Sequence, residues 1–272
     1  MDTGTPHILG AIAPLITRIR ERKPLVHHIT NMVVMNDTAN ITLGIGALPV
    51  MAHAIDEMDE MVGLASVLLL NIGTLDAAQI ASMRRAGQRA NARGIPIILD
   101  PVGVGATTLR TQTALRLLRE LKIAVVRGNA AEVGALVGVA GETRGVESIS
   151  LAGDPEAVAR KAARELGCVV AISGARDLIS DGTRLARVDN GHPLLATITG
   201  SGCMSTTLVA AFNAVEPDAW LATTAGMVAM GLAGEIAAPK SGGPGTFRSH
   251  LLDAAAALDE ATIARGLKVS VA

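Results

Sequence analysis

The chain has 272 residues, with 24 Lys and Arg against 25 Asp and Glu for a formal charge of -1, and its 49% hydrophobic content includes only two Phe, one Trp and no Tyr. With no net basic field and almost no rings for base stacking, a nucleic-acid partner is not expected. The mean hydropathy of +0.40 raises the question of a membrane. Yet the longest uncharged stretch, residues 190–215, carries His192, Pro193 and many Gly, Ser and Thr, which is too polar and too interrupted for the roughly 20 residues of hydrocarbon a span requires. No basic segment followed by a continuous apolar core opens the chain, so no secretory signal and a cytoplasmic location are expected. Two cysteines, Cys168 and Cys203, exclude a disulfide framework and a cysteine-rich zinc site.

In chain order, residues 66–73, 95–101, 122–129 and 168–174 are short, nearly continuous apolar runs ending in Gly, Asn, Asp or Pro, as expected of parallel strands covered on both faces. Helices are predicted between and after them, over 76–93, 109–121, 130–137 and 155–166. The last has Asp154 as its cap and Pro155 at its first position. Residues 178–191 read as a hairpin turning at Asp181-Gly182. Beyond Gly200 the pattern is helical, near 203–214, 218–237 and 247–265. The alternation predicts a layered α/β fold with a mostly parallel central sheet flanked by helices and a small antiparallel hairpin. No linker, charge block or repeat divides the chain, so one domain over 1–272 is expected.

Ligands of open α/β sheets bind at the carboxyl ends of the strands, and those ends carry Asn71, Asp100, Arg127, Asn129 and Ser173. A phosphate-handling site needs a carboxylate for a metal, a cation, and backbone donors. The donors are offered by ITGSGCMSTT from Ile198, where a strand-like lead turns through Gly200 and Gly202 into a helix opening near Cys203. At a helix N-terminus the Cys203 thiol is expected to gain thiolate character and to accept a proton from an attacking alcohol; the other reading is a small buried apolar group. For Cys168, inside an apolar run, the second reading is preferred. Asp100 can hold magnesium through water or merely cap its loop, and Glu132, in the first turn of a helix, is favoured there by the helix dipole in any case. Adjacent His27 and His28 face opposite ways in a strand, so both are expected to be structural. Asn31 offers a donor and an acceptor, and Met32, Met35 and Met51 offer polarizable apolar contacts.

Taken in order, ITN, VVMN, GALPVM, NIGTL, ILDPVGVGAT, RGNAAE, ITGSGC and GPGTFR resemble the hydroxyethylthiazole kinases of the ribokinase-like superfamily over nearly the whole chain. The resemblance implies a ribokinase-like fold and transfer of the ATP γ-phosphoryl group to 4-methyl-5-(2-hydroxyethyl)thiazole with Mg2+. It implies that Asn31, Met51 and Gly200 would line the thiazole pocket and that Arg127, Ser173 and Gly202 would contact ATP. Asp100 and Glu132 would organise magnesium and its waters, the turn from Gly200 to Cys203 would cradle the transferred group, and Cys203 would stand where much of the superfamily has an aspartate base. It also implies a homotrimer with the active site near the subunit interface. Two departures are visible: GSGC where the family is associated with GTGC, and Met32 where an aromatic is familiar. Two other readings share the same pocket, a nucleotide-dependent hydro-lyase of this fold, which would be expected to carry an aspartate at position 203, and a non-catalytic binding module.

Overall fold

Each predicted apolar run becomes a strand, because Val, Ile and Leu on both faces can all be buried only when helices cover both sides of a sheet. The computed structural model describes residues 10–139 and 154–272, and the backbone of 141–144 and 147–151. The parallel strands are β1 (Leu25–Ile29), β2 (Leu48–Val50), β3 (Val67–Asn71), β4 (Ile97–Asp100), β5 (Val125–Asn129) and, after the separate pair β6 (Gly141–Arg144) and β7 (Glu147–Leu151), β8 (Val169–Ser173). β9 (Asp177–Ser180), β10 (Leu185–Val188) and β11 (Val269–Val271) continue the sheet in antiparallel fashion, giving the order β11-β10-β9-β8-β5-β4-β3-β1-β2.

Alternate residues of each strand feed two cores. Val67 and Leu69 of β3 join one, with α1 (Leu15–Arg22), α2 (Met35–Ile45), α8 (Ser201–Asn213), α9 (Ala219–Ala237), α10 (Pro244–Ala257) and α11 (Glu260–Gly266). Leu68 and Leu70 join the other, with α3 (Met58–Leu64), α4 (Ala77–Ala92), α5 (Thr108–Glu120), α6 (Ala130–Leu136) and α7 (Pro155–Leu166). Caps fix the helix starts where the sequence placed them: Asp76 accepts from the Gln79 N–H, Thr107 from Arg110, and Asp154 from Glu156. Among the described residues, one segment, Ala219–Lys240, is long and apolar enough to cross a membrane, but most of it is buried within the protein.

The hairpin is present, with β9 and β10 joined across Asp181 and Gly182. Three expectations are corrected. The lead into the Gly200 turn is a 3-10 segment, Pro193–Thr197, rather than a strand, since Pro193 follows a His192 whose ring accepts from the Leu194 N–H. The predicted helix over 247–265 is two helices, because Leu258 is extended and Asp259 caps a new start by accepting from Thr262. Val269–Val271, assigned to nothing from the sequence, pairs with β10 and closes that edge of the sheet.

Candidate active site

The carboxyl ends of β1, β3, β4 and β5 meet the first turn of α8. Gly200 makes this possible by adopting φ 82, and its carbonyl accepts the Met204 N–H at 2.8 Å. Two residues further on, a Cβ at Gly202 would lie 2.8 Å from Arg127 Nη1, so glycine lets the guanidinium approach the backbone at the helix mouth. Arg127, the middle residue of β5, is 8% exposed, its Nε has no partner, and it forms no ion pair among the described residues. A buried guanidinium held this way is costly unless an anion comes to it.

Asn71, at the end of β3, joins the other groups. Its Nδ2 donates to Asp100 Oδ2 at 2.8 Å and lies 3.2 Å from Cys203 Sγ. Its Oδ1 accepts from Asn31 Nδ2 at 2.8 Å and from the Gly73 N–H at 3.0 Å. Asn31 Nδ2 also reaches Cys203 Sγ at 3.5 Å, and Thr206 Oγ1, one turn into α8, donates to Asp100 Oδ2 at 2.8 Å. The chain Asn31, Asn71, Asp100, Thr206 with Cys203 across it is therefore one connected polar network. Asn71 stood only among the strand-end residues of the sequence, and Thr206 was missed. The signal for Thr206 was its i+3 spacing from Cys203, which places both toward one side of the helix.

Glu132 completes a capping box on α6. Its Oε2 accepts the Asn129 N–H, Asn129 Oδ1 accepts the Glu132 N–H, and Oε1 reaches out to the Gly103 N–H at 2.8 Å. It is buried near Asp100, and its carboxyl is pushed up to about 7, first by burial and then by the Asp100 charge. Burial likewise raises Asp100, although Arg127, Thr206 and Asn71 all favour its ionised form. Two mutually repelling buried carboxylates, each with further lone pairs, form a hard oxygen donor set of the kind Mg2+ takes when it keeps several waters and adds phosphate oxygens. The residues present fit that ion.

The expected ionisation of Cys203 is corrected. Its thiol is pushed up to about 12, by burial first and by Asp100 second, against the favourable bonds from Asn71 and Asn31. A few partial charges at a helix terminus cannot offset removal from water beside a carboxylate. Cys168, at the far end of the sheet, is also pushed up to about 12, by burial alone of its larger causes.

Ser173 ends β8 beside the Arg127 strand, its Oγ 3.4 Å from the Gly128 carbonyl. Met51 follows β2 and is half-buried, on the Asn31 side of the sheet. His27 and His28 do face opposite ways: His27 Nε2 meets the Ala52 carbonyl at 2.9 Å and His28 Nε2 meets Thr42 Oγ1 at 3.3 Å. Burial holds His28 down to about 3, so both rings serve as neutral structural groups.

A mostly parallel sheet flanked by helices on both faces and continued by antiparallel strands is a ribokinase-like fold. A ribokinase-like superfamily protein of Enterococcus faecalis superposes with a TM-score of 0.63 over 85% of this chain and 86% of its own, at 17% identity, a likeness of fold alone. The chain's family is narrower: residues 16–261 match the hydroxyethylthiazole kinase family, and the chain belongs to it. A hydroxyethylthiazole kinase of Desulforudis audaxviator is 55% identical over 257 residues, covering 94% of each chain. The structure of the hydroxyethylthiazole kinase protein from Pyrococcus horikoshii superposes with a TM-score of 0.89 at 42% identity, covering 96% of this chain and 99% of that one.

Proposed function

We propose that the protein transfers the γ-phosphoryl group of ATP to the hydroxyl of 4-methyl-5-(2-hydroxyethyl)thiazole, with Mg2+, supplying the thiazole phosphate for thiamine assembly. The observation that carries this reading, beside family membership, is the convergence of a buried Arg127 that forms no ion pair among the described residues, the Asp100 and Glu132 carboxylates and the Gly200 to Cys203 turn at one end of the sheet. Phosphoryl transfer asks a protein mainly for positioning and charge neutralisation. In this reading Arg127 holds the ATP phosphates with Gly202 and Ser173 beside it. The first free N–H groups of α8 face the transferred group. Asp100 and Glu132 hold Mg2+, which when bound neutralises phosphate charge.

Asn31, Met51 and Gly200 line the thiazole side, and Cys203 accepts the hydrogen bond of the reacting hydroxyl. A thiol pushed up to about 12 is no early base. The hydroxyl becomes strongly acidic only as its oxygen bonds to phosphorus, so its proton leaves late, toward the Cys203 and Asp100 pair. An aspartate base at position 203, which the hydro-lyase reading expects, is not what this chain carries.

Homotrimerisation is part of the same proposal. Met32 and Val33, next to Asn31, are 67% and 64% exposed, and Leu48, on the edge strand leading to Met51, is 44% exposed. Apolar side chains left in water on the two segments that carry the thiazole-side residues support coverage by a second copy. The protein is proposed as a single-domain cytoplasmic enzyme. The deciding assay couples ADP release to thiazole alcohol: formation of ADP that depends on the alcohol is expected, while alcohol-independent ADP or none at all sinks the reading. Light scattering on the active protein is expected to give a trimer, and a fully active monomer would refute the shared site.

A further inference from the structure

The register between β1 and β2 runs Leu25 with Leu48, Val26 with Pro49 and His27 with Val50, and goes no further. Asn31 and Met51 both lie beyond that last pair, so backbone ladder bonds do not set the distance between them. Side chains take over. The Ala52 carbonyl meets His27 Nε2 at 2.9 Å, and the Thr30 N–H donates to His53 Nε2 at 3.1 Å. On its other side the Thr30 carbonyl accepts from Gln79 Nε2 at 2.8 Å, and the His53 carbonyl accepts from Ser82 Oγ at 2.8 Å, both donors coming from α4. A backbone N–H can only donate, so Nε2 of His53 is the bare ring nitrogen and its proton sits on Nδ1. Thr30 and Gln79 are buried and His53 is half-buried, so this bond is shielded and directional.

We propose that His53 is a positioning residue that fixes the spacing of Asn31 and Met51, and through that spacing determines recognition of the thiazole ring without touching it. The proposal rests on the assignment of Asn31 and Met51 to the thiazole side. Losing the His53 acceptor leaves a buried N–H unpaired and frees the Thr30–Asn31 backbone from the Met51–His53 segment. The ATP side, built on β5, β8 and α8, is anchored independently of this bond.

The experiment compares His53→Ala, His53→Gln and Met51→Ala in the full-length protein, varying the thiazole alcohol and ATP separately. His53→Ala is expected to raise KM for the alcohol about tenfold while KM for ATP stays within about twofold. His53→Gln, whose amide oxygen can accept the Thr30 N–H, is expected to recover most of the lost affinity. Should His53→Ala fail to fold, Gln79→Met loosens the Thr30–Asn31 peptide on the other side of Thr30 and carries the same expectation. An unchanged KM for the alcohol, an equal rise for both substrates, or no rescue by glutamine would overturn the positioning role. If Met51→Ala also leaves KM for the alcohol unchanged, the pocket assignment is what fails; if Met51→Ala weakens binding and His53→Ala does not, only the role of His53 fails.

Discussion

Arg127 and Arg184 are the same side chain put to opposite uses. Arg184, on the antiparallel side of the sheet, donates to both oxygens of Asp218 at 2.7 and 3.0 Å and to Asp181 at 2.6 Å, and its guanidinium lies 4.4 Å from the Trp220 ring. Its neighbours repeat the pattern, with Arg176 paired to Asp189 and Arg187 to Glu156. Arg127 is more deeply buried and has none of these partners among the described residues. One end of the parallel strands keeps its charges open while the antiparallel edge closes its own. Satisfied charge serves the fold; unsatisfied buried charge is kept for a ligand.

Substitution of the two arginines should separate these roles most sharply. Arg127→Met is expected to lower kcat/KM for ATP by about 1,000-fold, the scale on which arginine stabilises phosphoryl transfer. An unchanged kcat/KM for ATP would remove Arg127 from the phosphate side of the site. Cys203→Ala should follow, with kcat down about 100-fold and KM for ATP little changed, whereas Cys203→Asp should retain activity, because a carboxyl in the same place gives up its proton far more readily than a thiol. A fully active alanine variant removes the catalytic role.

The Glu132 carboxyl supplies a pH test on the open side of the comparison. Its folded value of about 7 lies above its ordinary 4.5, so the folded protein holds that proton more tightly than the unfolded chain does. The resulting stability is fully present below 4.5 and is lost as pH rises through about 7. Melts of the magnesium-free protein should therefore fall over that window, and added Mg2+, which competes with the proton, should restore more stability at about pH 8 than at about pH 6. Titrating Mg2+ at both pH values decides it; equal affinities would detach Glu132 from the metal. The smallest effect is expected from Arg184→Met, a loss of about 1 kcal/mol in chemical denaturation with kinetics unchanged, because Arg184 is itself exposed and its partners are half-buried.

How much of this was legible depended on whether a signal was local. Alternation of apolar runs with helical segments sufficed for α4, α5 and α7, the last with its Asp154 cap. Strand ends sufficed to bring forward Asp100 and Asn71, because a parallel sheet sends every carboxyl end to the same edge; Arg127, expected at a strand end, is instead the middle residue of β5. The break at Leu258 carried a local signal that was missed, the Asp259 cap, but the strand Val269–Val271 was not legible, since it depends on a partner strand about eighty residues away in sequence. The Thr30 to His53 bond was hidden for the same reason: nothing near either residue announces the other.

By itself the sequence determined the alternation of strands and helices, the glycine turn before α8 and the residue types gathered at the strand ends, all of which follow from local backbone preference and apolar spacing. Only the tertiary structure decided their electrostatic state. Burial beside Asp100 keeps Cys203 a thiol and raises Glu132, and burial leaves Arg127 Nε without a hydrogen-bond partner among the described residues, because the energy of a charge is set by the water it loses and the charges it meets, and neither is a property of its neighbours in the chain.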